Sequence, residues 1–529
     1  MYEKIKSYWQ NEKKNIIFCF VSTFILGLAA HAYVMLNNDM SHDWLNAFVA
    51  TDIEEEWKIR LGRYIVPLYR NIFRNSLALP WLIGIISLFW YSASSYLITK
   101  TFDVQSRIVM FLISGVVVTN ITVTAQYATY LYEADFNAFA LLLAVAAAYI
   151  WKKHVKIYHL IPSAILLFIS MGIYQSYVCV AVVLILAVSI LDLFDEKEIK
   201  CVITKGIYGI CVIILGYIIY HFVGLAVYSV TGLELESRIN ALRFLSSGYN
   251  PIIIIYETVI FLIRQLLHLA YDQAVVCISF IISILLMVFT AIIAIVKKRF
   301  APFRILTILF LFGMLPVALG LIHIITYGLE LHDLMTYAVW FFWIIVPVFV
   351  YRFLKTSNKA FYKNFISGVI YLSVFFVIWQ NITISNTVYI KKDLSAQSSF
   401  SLMTRVLDRI EQHPDYIPGE TTVAFIGIPS NNGCDTPYDK ISDFGKVNGI
   451  IGVDINTVFV NDFIWDVYAA YDAYCKYVLN SPVVICDYDT HVKLKKDKNV
   501  ENMPFYPLNG SVQMVDGVIV VKLGEIIVW

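Results

Sequence analysis

IIFCFVSTFILGLAAHAYVML, residues 16–36, is followed after one asparagine by NDMSHDWLNAFVATDIEEEWKIRLGRYIVPLYRNIFRNSLALP, residues 38–80. The first stretch is long and apolar enough to cross a bilayer, which takes about 20 residues. The second is the first long polar interruption of the chain. It gathers Asp39, His42, Asp43, Asp52, Glu54, Glu55, Glu56, Arg60, Arg63, Arg70 and Arg74 into one connection between two membrane-grade segments. Spans on either side of a charged loop set the fold class: a polytopic α-helical membrane protein.

Composition agrees. Of 529 residues, 59% are hydrophobic and 15% charged, against about 25% charged in an ordinary soluble protein. A formal net charge of +1 argues against a nucleic-acid partner, which asks for a strong basic excess. The 35 Tyr, 35 Phe and 11 Trp suit interfacial belts and sugar-facing grooves. Eight cysteines are scattered without a CxxC pair, so neither a disulfide framework nor a zinc site is indicated. The first apolar run lacks a small-residue cleavage site and reads as a retained span.

Spans are expected at 16–37, 80–99, 107–126, 136–151, 159–173, 176–194, 204–230, 274–296, 305–327, 335–354 and 364–382, about eleven in all. Lys4, Lys6, Lys13 and Lys14 precede the first. Lys152, Lys153 and Lys156 follow the fourth, Lys297, Lys298, Arg299 and Arg304 the eighth, and Arg352, Lys355, Lys359 and Lys363 the tenth. With eleven spans all four clusters fall on one side, which the positive-inside rule makes cytoplasmic. The expectation is therefore a multi-pass protein of the cell (plasma or inner) membrane with a cytoplasmic N-terminus. The loop 38–80, the acidic turn with Glu133 and Asp135, the turn with Tyr174 and Gln175, and the C-terminal tail then share the outer face. Residues 251–268 carry Glu257, Arg264 and His268 after a GYNP turn signal, and read as a helix lying in the outer interface.

Residues 1–384 thus form a transmembrane domain, and 385–529 a polar unit of domain size outside the membrane. In that unit TTVAFIGIP and SPVVICD read as short buried strands and DFIWDVYAAYDAYCKYVL as a helix. SVQMVDGVIVVKL reads as a hairpin turned at Asp516-Gly517. The expectation is a small extracytoplasmic α/β domain. Its Gly427 is a strand-end glycine and no phosphate-binding loop accompanies it.

The loop's residue types have a chemistry. Acids and guanidinium groups at a bilayer surface can take a proton from a hydroxyl and hold a phosphate as its charge develops. Asp43 lies near the end of the first span. If the loop starts as a helix, Asp39 and Asp43 are four apart and share a face. Trp44 adds a ring that can stack on a sugar. The plainer reading of these acids is a helix cap or a solvated charge. The Glu54–Glu56 run reads as a solvated helix face, with Glu56 and Arg60 spaced for an ordinary pair. Arg60 and Arg63 suit a phosphate or headgroup contact equally. Arg70 and Arg74, beyond Pro67, read as snorkelling to headgroups.

Glu133 and Asp135 sit in a very short outer turn, where charge is costly unless paired or useful. Pairing with Arg60 or Arg63 is the plain alternative. Tyr174 and Gln175 interrupt an apolar stretch, where Gln175 must find a partner. Gluing helices is the plain reading and lining a groove the sharper one. His31, His221 and His323 have no ligand spacing. Carboxylate pairs could hold Mg²⁺ or Mn²⁺, but no metal signature is present.

His42–Trp44 (HDW), Leu61–Leu68 (LGRYIVPL), Tyr132–Phe136 (YEADF) and Gly172–Tyr177 (GIYQSY) together resemble the Gtr-type glucosyltransferase II family. That family belongs to the GT-C group of polytopic, lipid-phosphate-sugar-dependent glycosyltransferases. The matching segments cover about the first 200 residues. The resemblance implies a GT-C-like fold, a polyprenyl-phosphate-linked hexose donor, an outward-facing site and a cell-envelope glycan as acceptor. It implies that Asp43 is the first-loop acid, with Asp39 as rival, and that Glu133 or Asp135 is the acid of the next outer loop. His42, Trp44, Arg60, Arg63, Tyr174 and Gln175 would contact substrate. Two rival classes remain. A flippase or transporter of lipid-linked sugars predicts charges inside spans and pseudo-repeated halves, which the sequence lacks. An envelope scaffold predicts a dispensable first loop.

Overall fold

The computed structural model describes residues 2–37, 51–75, 79–153, 158, 160–236, 248, 250–267, 274–329, 331–354, 360–427 and 471–524. Most of them are helical. After α1 (Tyr2–Leu36) the first loop contributes α2 (Thr51–Arg60) and α3 (Val66–Phe73). Then come α4 (Pro80–Thr101), α5 (Arg107–Thr119), α6 (Ile121–Thr129), α7 (Ala134–Lys153), α8 (Leu160–Ile173), α9 (Val178–Phe194) and α10 (Ile199–Thr231). The second half has α11 (Pro251–Leu266), α12 (Ala274–Lys298), α13 (Pro302–Leu319), α14 (Phe342–Leu354) and α15 (Ala360–Glu411). Proline stands in the first turn of α3, α4, α11 and α13, where its missing N–H costs nothing.

Among the described residues ten helical segments are long and apolar enough to cross a membrane. The eleventh expected segment is α8, apolar but only 14 residues long. The basic clusters converge at one end of the bundle. Lys100 pairs with Glu12 at 2.7 Å, and Lys152 and Arg352 both reach Asp103. Arg352 also binds Asp195, while Lys298 and Arg304 donate to the carbonyls of Phe194 and Leu193 at 2.7 and 2.8 Å. Those contacts gather the last turns of α4, α7, α9, α12 and α14 with the start of α13. Two apolar helical segments lie between each of these ends and the next, with α8 counted among them.

The third expected span is broken. Asn120 leaves the helical path between α5 and α6 and caps α6, its side chain accepting from Val123 N at 3.2 Å. A break inside a bilayer must have its freed carbonyls satisfied. The Asn120 amide donates to Val116 O and Val117 O at 2.9 and 3.1 Å. Tyr337 also donates to Val117 O, and His31 Nε2 donates to Val118 O at 2.7 Å. A carbonyl only accepts, so Nε2 carries the proton and Nδ1 accepts from Tyr389 OH at 2.7 Å. His31 is a core tie between α1, α5 and α15.

α15 runs 52 residues without interruption, about 78 Å at 1.5 Å per residue, far more than a bilayer core of about 30 Å. Position 385, expected as the start of a separate polar domain, lies inside it. Nothing between Gly368 and Pro414 stops a helix, since neither glycine nor proline occurs there. Its outer part carries Leu402, Met403, Val406, Leu407 and Ile410 as one buried stripe against the sheet.

That sheet has β1 (Thr422–Ile426), β2 (Val484–Ile485), β3 (Val512–Val515) and β4 (Val518–Lys522) in the order β2-β1-β4-β3. β1 is parallel to both neighbours, and β3 and β4 form the expected hairpin. Asp516 and Gly517 turn it with φ of +49° and +82°, as a two-residue loop requires. Val423, Phe425, Ile519 and Val521 face α15, while Ala424, Ile426, Val518 and Val520 face Leu494 and Val500. Of the expected helix there, residues 471–479 are described, and 471–478 are helical.

Candidate active site

At the end of the bundle opposite the basic clusters, the first loop folds onto the acidic turn. Leu61 and Gly62 reverse the chain after α2, with Gly62 at φ +73°. The turn is held by its carbonyls. Gln175 Nε2 donates to Leu61 O at 2.8 Å, Tyr220 OH to Gly62 O at 3.2 Å, and Tyr228 OH to Ile59 O at 3.3 Å. Ile65 N donates to Gly172 O at 2.9 Å. A Cβ on Gly62 would lie 2.3 Å from Tyr220 Oη and 2.8 Å from Gln175 Nε2. Gln175 Nε2 also donates to Tyr220 Oη at 3.1 Å, so this side chain links the turn to α10.

This anchoring aims two cations at one acid. Glu133 is buried and hydrogen-bonded by Lys58 Nζ, and Arg63 Nη1 lies 3.4 Å from its other oxygen. Arg63 also stacks over the Tyr174 ring at 4.5 Å, and Lys58 faces the Tyr132 ring at 5.6 Å. Tyr174 is buried, which pushes its phenol up and keeps it protonated. Asp135 is engaged separately. Arg74 Nε meets Asp135 Oδ2 at 2.7 Å and Arg74 Nη2 meets Oδ1 at 3.2 Å, while Nη2 also donates to Tyr132 O. Both side chains are fully desolvated, which suits a structural clamp.

Arg70 and Arg74 thus do not snorkel to headgroups. On α3 the buried face is Val66, Tyr69 and Arg70, with Arg74 one turn on, and Arg70 lies 5.5 Å from the Phe136 ring. The exposed face is Leu68, Asn71, Ile72 and Phe73, apolar apart from the asparagine. An apolar face belongs to lipid here, so the polar face goes inward. Arg60 is half-buried, and its carbonyl accepts from Glu236 N at 2.8 Å; its side chain does not reach Glu133 or Asp135. Asp39, His42, Asp43 and Trp44 lie outside the described residues.

The described site contains four cations, Lys58, Arg63, Arg70 and Arg74, around two carboxylates, Glu133 and Asp135. Across α6, Lys392 donates to Ala128 O, and Tyr33 OH donates to Asp393 at 2.8 Å. Lys391 and Lys392 are both buried. Such an arrangement can bind an anion at the membrane surface. Among the described residues no group of three or more His, Cys, Asp or Glu is placed to hold a metal.

The family model described as Glucosyl transferase GtrII matches residues 32–351, more than half of the chain. The chain belongs to this glucosyltransferase family. It is a membrane-embedded glycosyltransferase with a sugar donor and an acceptor. The matched region holds the first loop, the Glu133 turn and the Tyr174 turn, and stops before α15 and the sheet. No curated protein and no solved structure matches the chain.

Sequence reasoning missed Lys58, Lys391 and Lys392. Lys58 follows the Glu54–Glu56 run, which reads as a solvated helix face, and its partner is distant in sequence. The available signal was Glu133 itself: an acid in so short a turn needs a cation, and Lys58 is in the same loop as Arg60 and Arg63. Lys391 and Lys392 fall within 385–529, the stretch expected to lie outside the membrane.

Proposed function

We propose that this glucosyltransferase is of GT-C type and moves a glucosyl group from a polyprenyl-phosphate carrier to a cell-envelope polysaccharide or lipid-linked glycan at the outer face of the cell membrane. The observation that carries this reading is the buried meeting of Lys58 and Arg63 at Glu133, at the end of the bundle away from the basic clusters. A phosphate still attached to a prenyl chain has its tail among the spans and its charge at that level.

In the step, the acceptor hydroxyl oxygen attacks the anomeric carbon from the side opposite the phosphate. The bond from that carbon to the phosphate oxygen breaks, and its electron pair departs with the polyprenyl phosphate. The hydroxyl proton passes to the Asp43 carboxylate, with Asp39 the rival base. General-base assistance of this kind contributes about 10²–10⁴-fold. Arg63, with Lys58 behind it, stabilises the phosphate as its charge grows; Arg60 is the second guanidinium in reach of the loop. His42 and Trp44 bracket the sugar beside Asp43. The C-terminal α/β unit, carried out of the membrane on α15, helps position the acceptor.

The test is transfer from a radiolabelled polyprenyl-phosphate glucose by purified protein. Asp43→Asn is expected to abolish transfer with expression and donor binding retained, and Asp39→Asn to keep most of it. Full activity in Asp43→Asn removes Asp43 from the step. A wild-type protein that moves the labelled lipid across vesicles without transferring sugar is a flippase.

A further inference from the structure

Three buried polar atoms at the two turns that carry Glu133 and Tyr174 have no hydrogen-bond partner among the described residues: Tyr174 Oη, Ser176 Oγ and Asn137 Oδ1. Their residues are 3%, 7% and 3% exposed. Arg63 Nε is in the same condition, although its Nη1 faces Glu133. The groups belong together. Asn137 is one helical turn beyond Glu133. Ser170 Oγ donates to Ala140 O at 2.7 Å, a register between antiparallel α7 and α8 that brings Asn137 level with Ile173 and Tyr174. Ser176 stands two residues further, in the turn that joins α8 to α9.

Leaving a buried donor or acceptor unpaired is costly, and native interiors keep such atoms few. Several at one charged site point to a ligand that completes them. Their chemistry selects its class. An amide oxygen only accepts, so a phosphate oxygen, which also only accepts, leaves Asn137 unsatisfied. A buried protonated phenol donates, and a serine hydroxyl does both. A carbinol hydroxyl gives one hydrogen bond and takes others, and it fits all three.

We propose that Tyr174, Ser176 and Asn137 form a hydroxyl-reading cradle for the sugar ring of the donor, with Arg63 marking its phosphate side. This rests on the reading of the donor as a lipid-phosphate sugar and adds which residues recognise the sugar. A pocket built to bond a hydroxyl discriminates against the analogue that lacks it, because its own polar groups are then stranded.

The experiment measures kcat/KM for polyprenyl-phosphate glucose and for its 2-, 3-, 4- and 6-deoxyglucose counterparts. It uses wild type, Tyr174→Phe, Ser176→Ala and Asn137→Ala. Wild type is expected to reject at least one deoxy donor by about 10-fold or more. Each variant is expected to lose about 3–15-fold on the glucose donor, the worth of one neutral hydrogen bond. The same variant should narrow the gap to its matching deoxy donor to about twofold. Tyr174→Phe and Ser176→Ala remove one oxygen each and so decide the matter even if Asn137→Ala unfolds. Ser283→Ala, which removes a partnerless buried hydroxyl on α12, serves as control and should change neither activity nor selectivity. Unchanged donor selectivity in the variants overturns the cradle, leaving these atoms to buried water, while the lipid-phosphate reading stands. Wild-type protein that transfers from none of the five donors overturns both.

Discussion

Arg74→Ala is the sharpest test of how the first loop is built. Arg74 meets Asp135 through two nitrogens, at 2.7 and 3.2 Å, and donates to Tyr132 O as well. The two side chains are 1% and 0% exposed. A solvent-exposed pair contributes about 0–1 kcal/mol. Removing one partner of a desolvated pair costs about 3–5 kcal/mol, because the other charge stays buried alone. The unfolding equilibrium should therefore move by about 10²-fold or more, read as a lowered thermal midpoint in detergent. Arg74→Met with Asp135→Leu removes both charges and keeps much of the volume. It should return stability to within about 1–2 kcal/mol of wild type, the residue being the donor lost to Tyr132 O. Transfer activity in that double variant separates two roles. Recovery with stability makes the pair a clamp; continued loss makes Arg74 a donor contact. Arg74→Ala as stable as wild type would refute the reasoning and return Arg74 to the headgroups.

Gly62→Ala forces a left-handed backbone onto a residue with a Cβ, about 1–2 kcal/mol by itself, and drives that Cβ into Tyr220 and Gln175. Transfer should fall at least about tenfold and recover in part when Tyr220→Phe removes the contacting hydroxyl; wild-type activity in Gly62→Ala would mean the turn needs no such anchoring. Cysteine labelling tests orientation. In a Cys211→Ser, Cys277→Ser, Cys434→Ser background an impermeant maleimide should label exposed Cys201, at the start of α10, from the cytoplasmic side only. Cys475 and Cys486 should stay unlabelled at pH 8 in the folded protein, since burial pushes their thiols up to about 12 and about 11 and leaves a thiolate fraction of at most about 10⁻³. Labelling of Cys201 from outside would invert the assignment.

The parts of this site that sequence revealed and those it hid differ for one physical reason. Hydropathy locates spans without knowing what they face, so the expected segments all fall on helices. Glu133 and Asp135 stood out because charge in a short turn between spans must be matched. What hydropathy cannot give is the direction a mixed helix faces. On α3 the soluble-protein rule puts Leu68, Ile72 and Phe73 inside and the arginines out; beside lipid the order reverses, and Arg70 and Arg74 become core. Lys58 was hidden in the same way, just after the Glu54–Glu56 run that reads as a solvated face. Lys391 and Lys392 were hidden because polar composition was equated with leaving the protein, whereas α15 remains enclosed at their level by α1 and α6. In a membrane enzyme the buried polar side chains carry the specific information, and the acids fixed by topology are the place to start. Lys58, Arg63 and Arg74 are the cations that these buried acids demand and that sequence spacing alone does not assign.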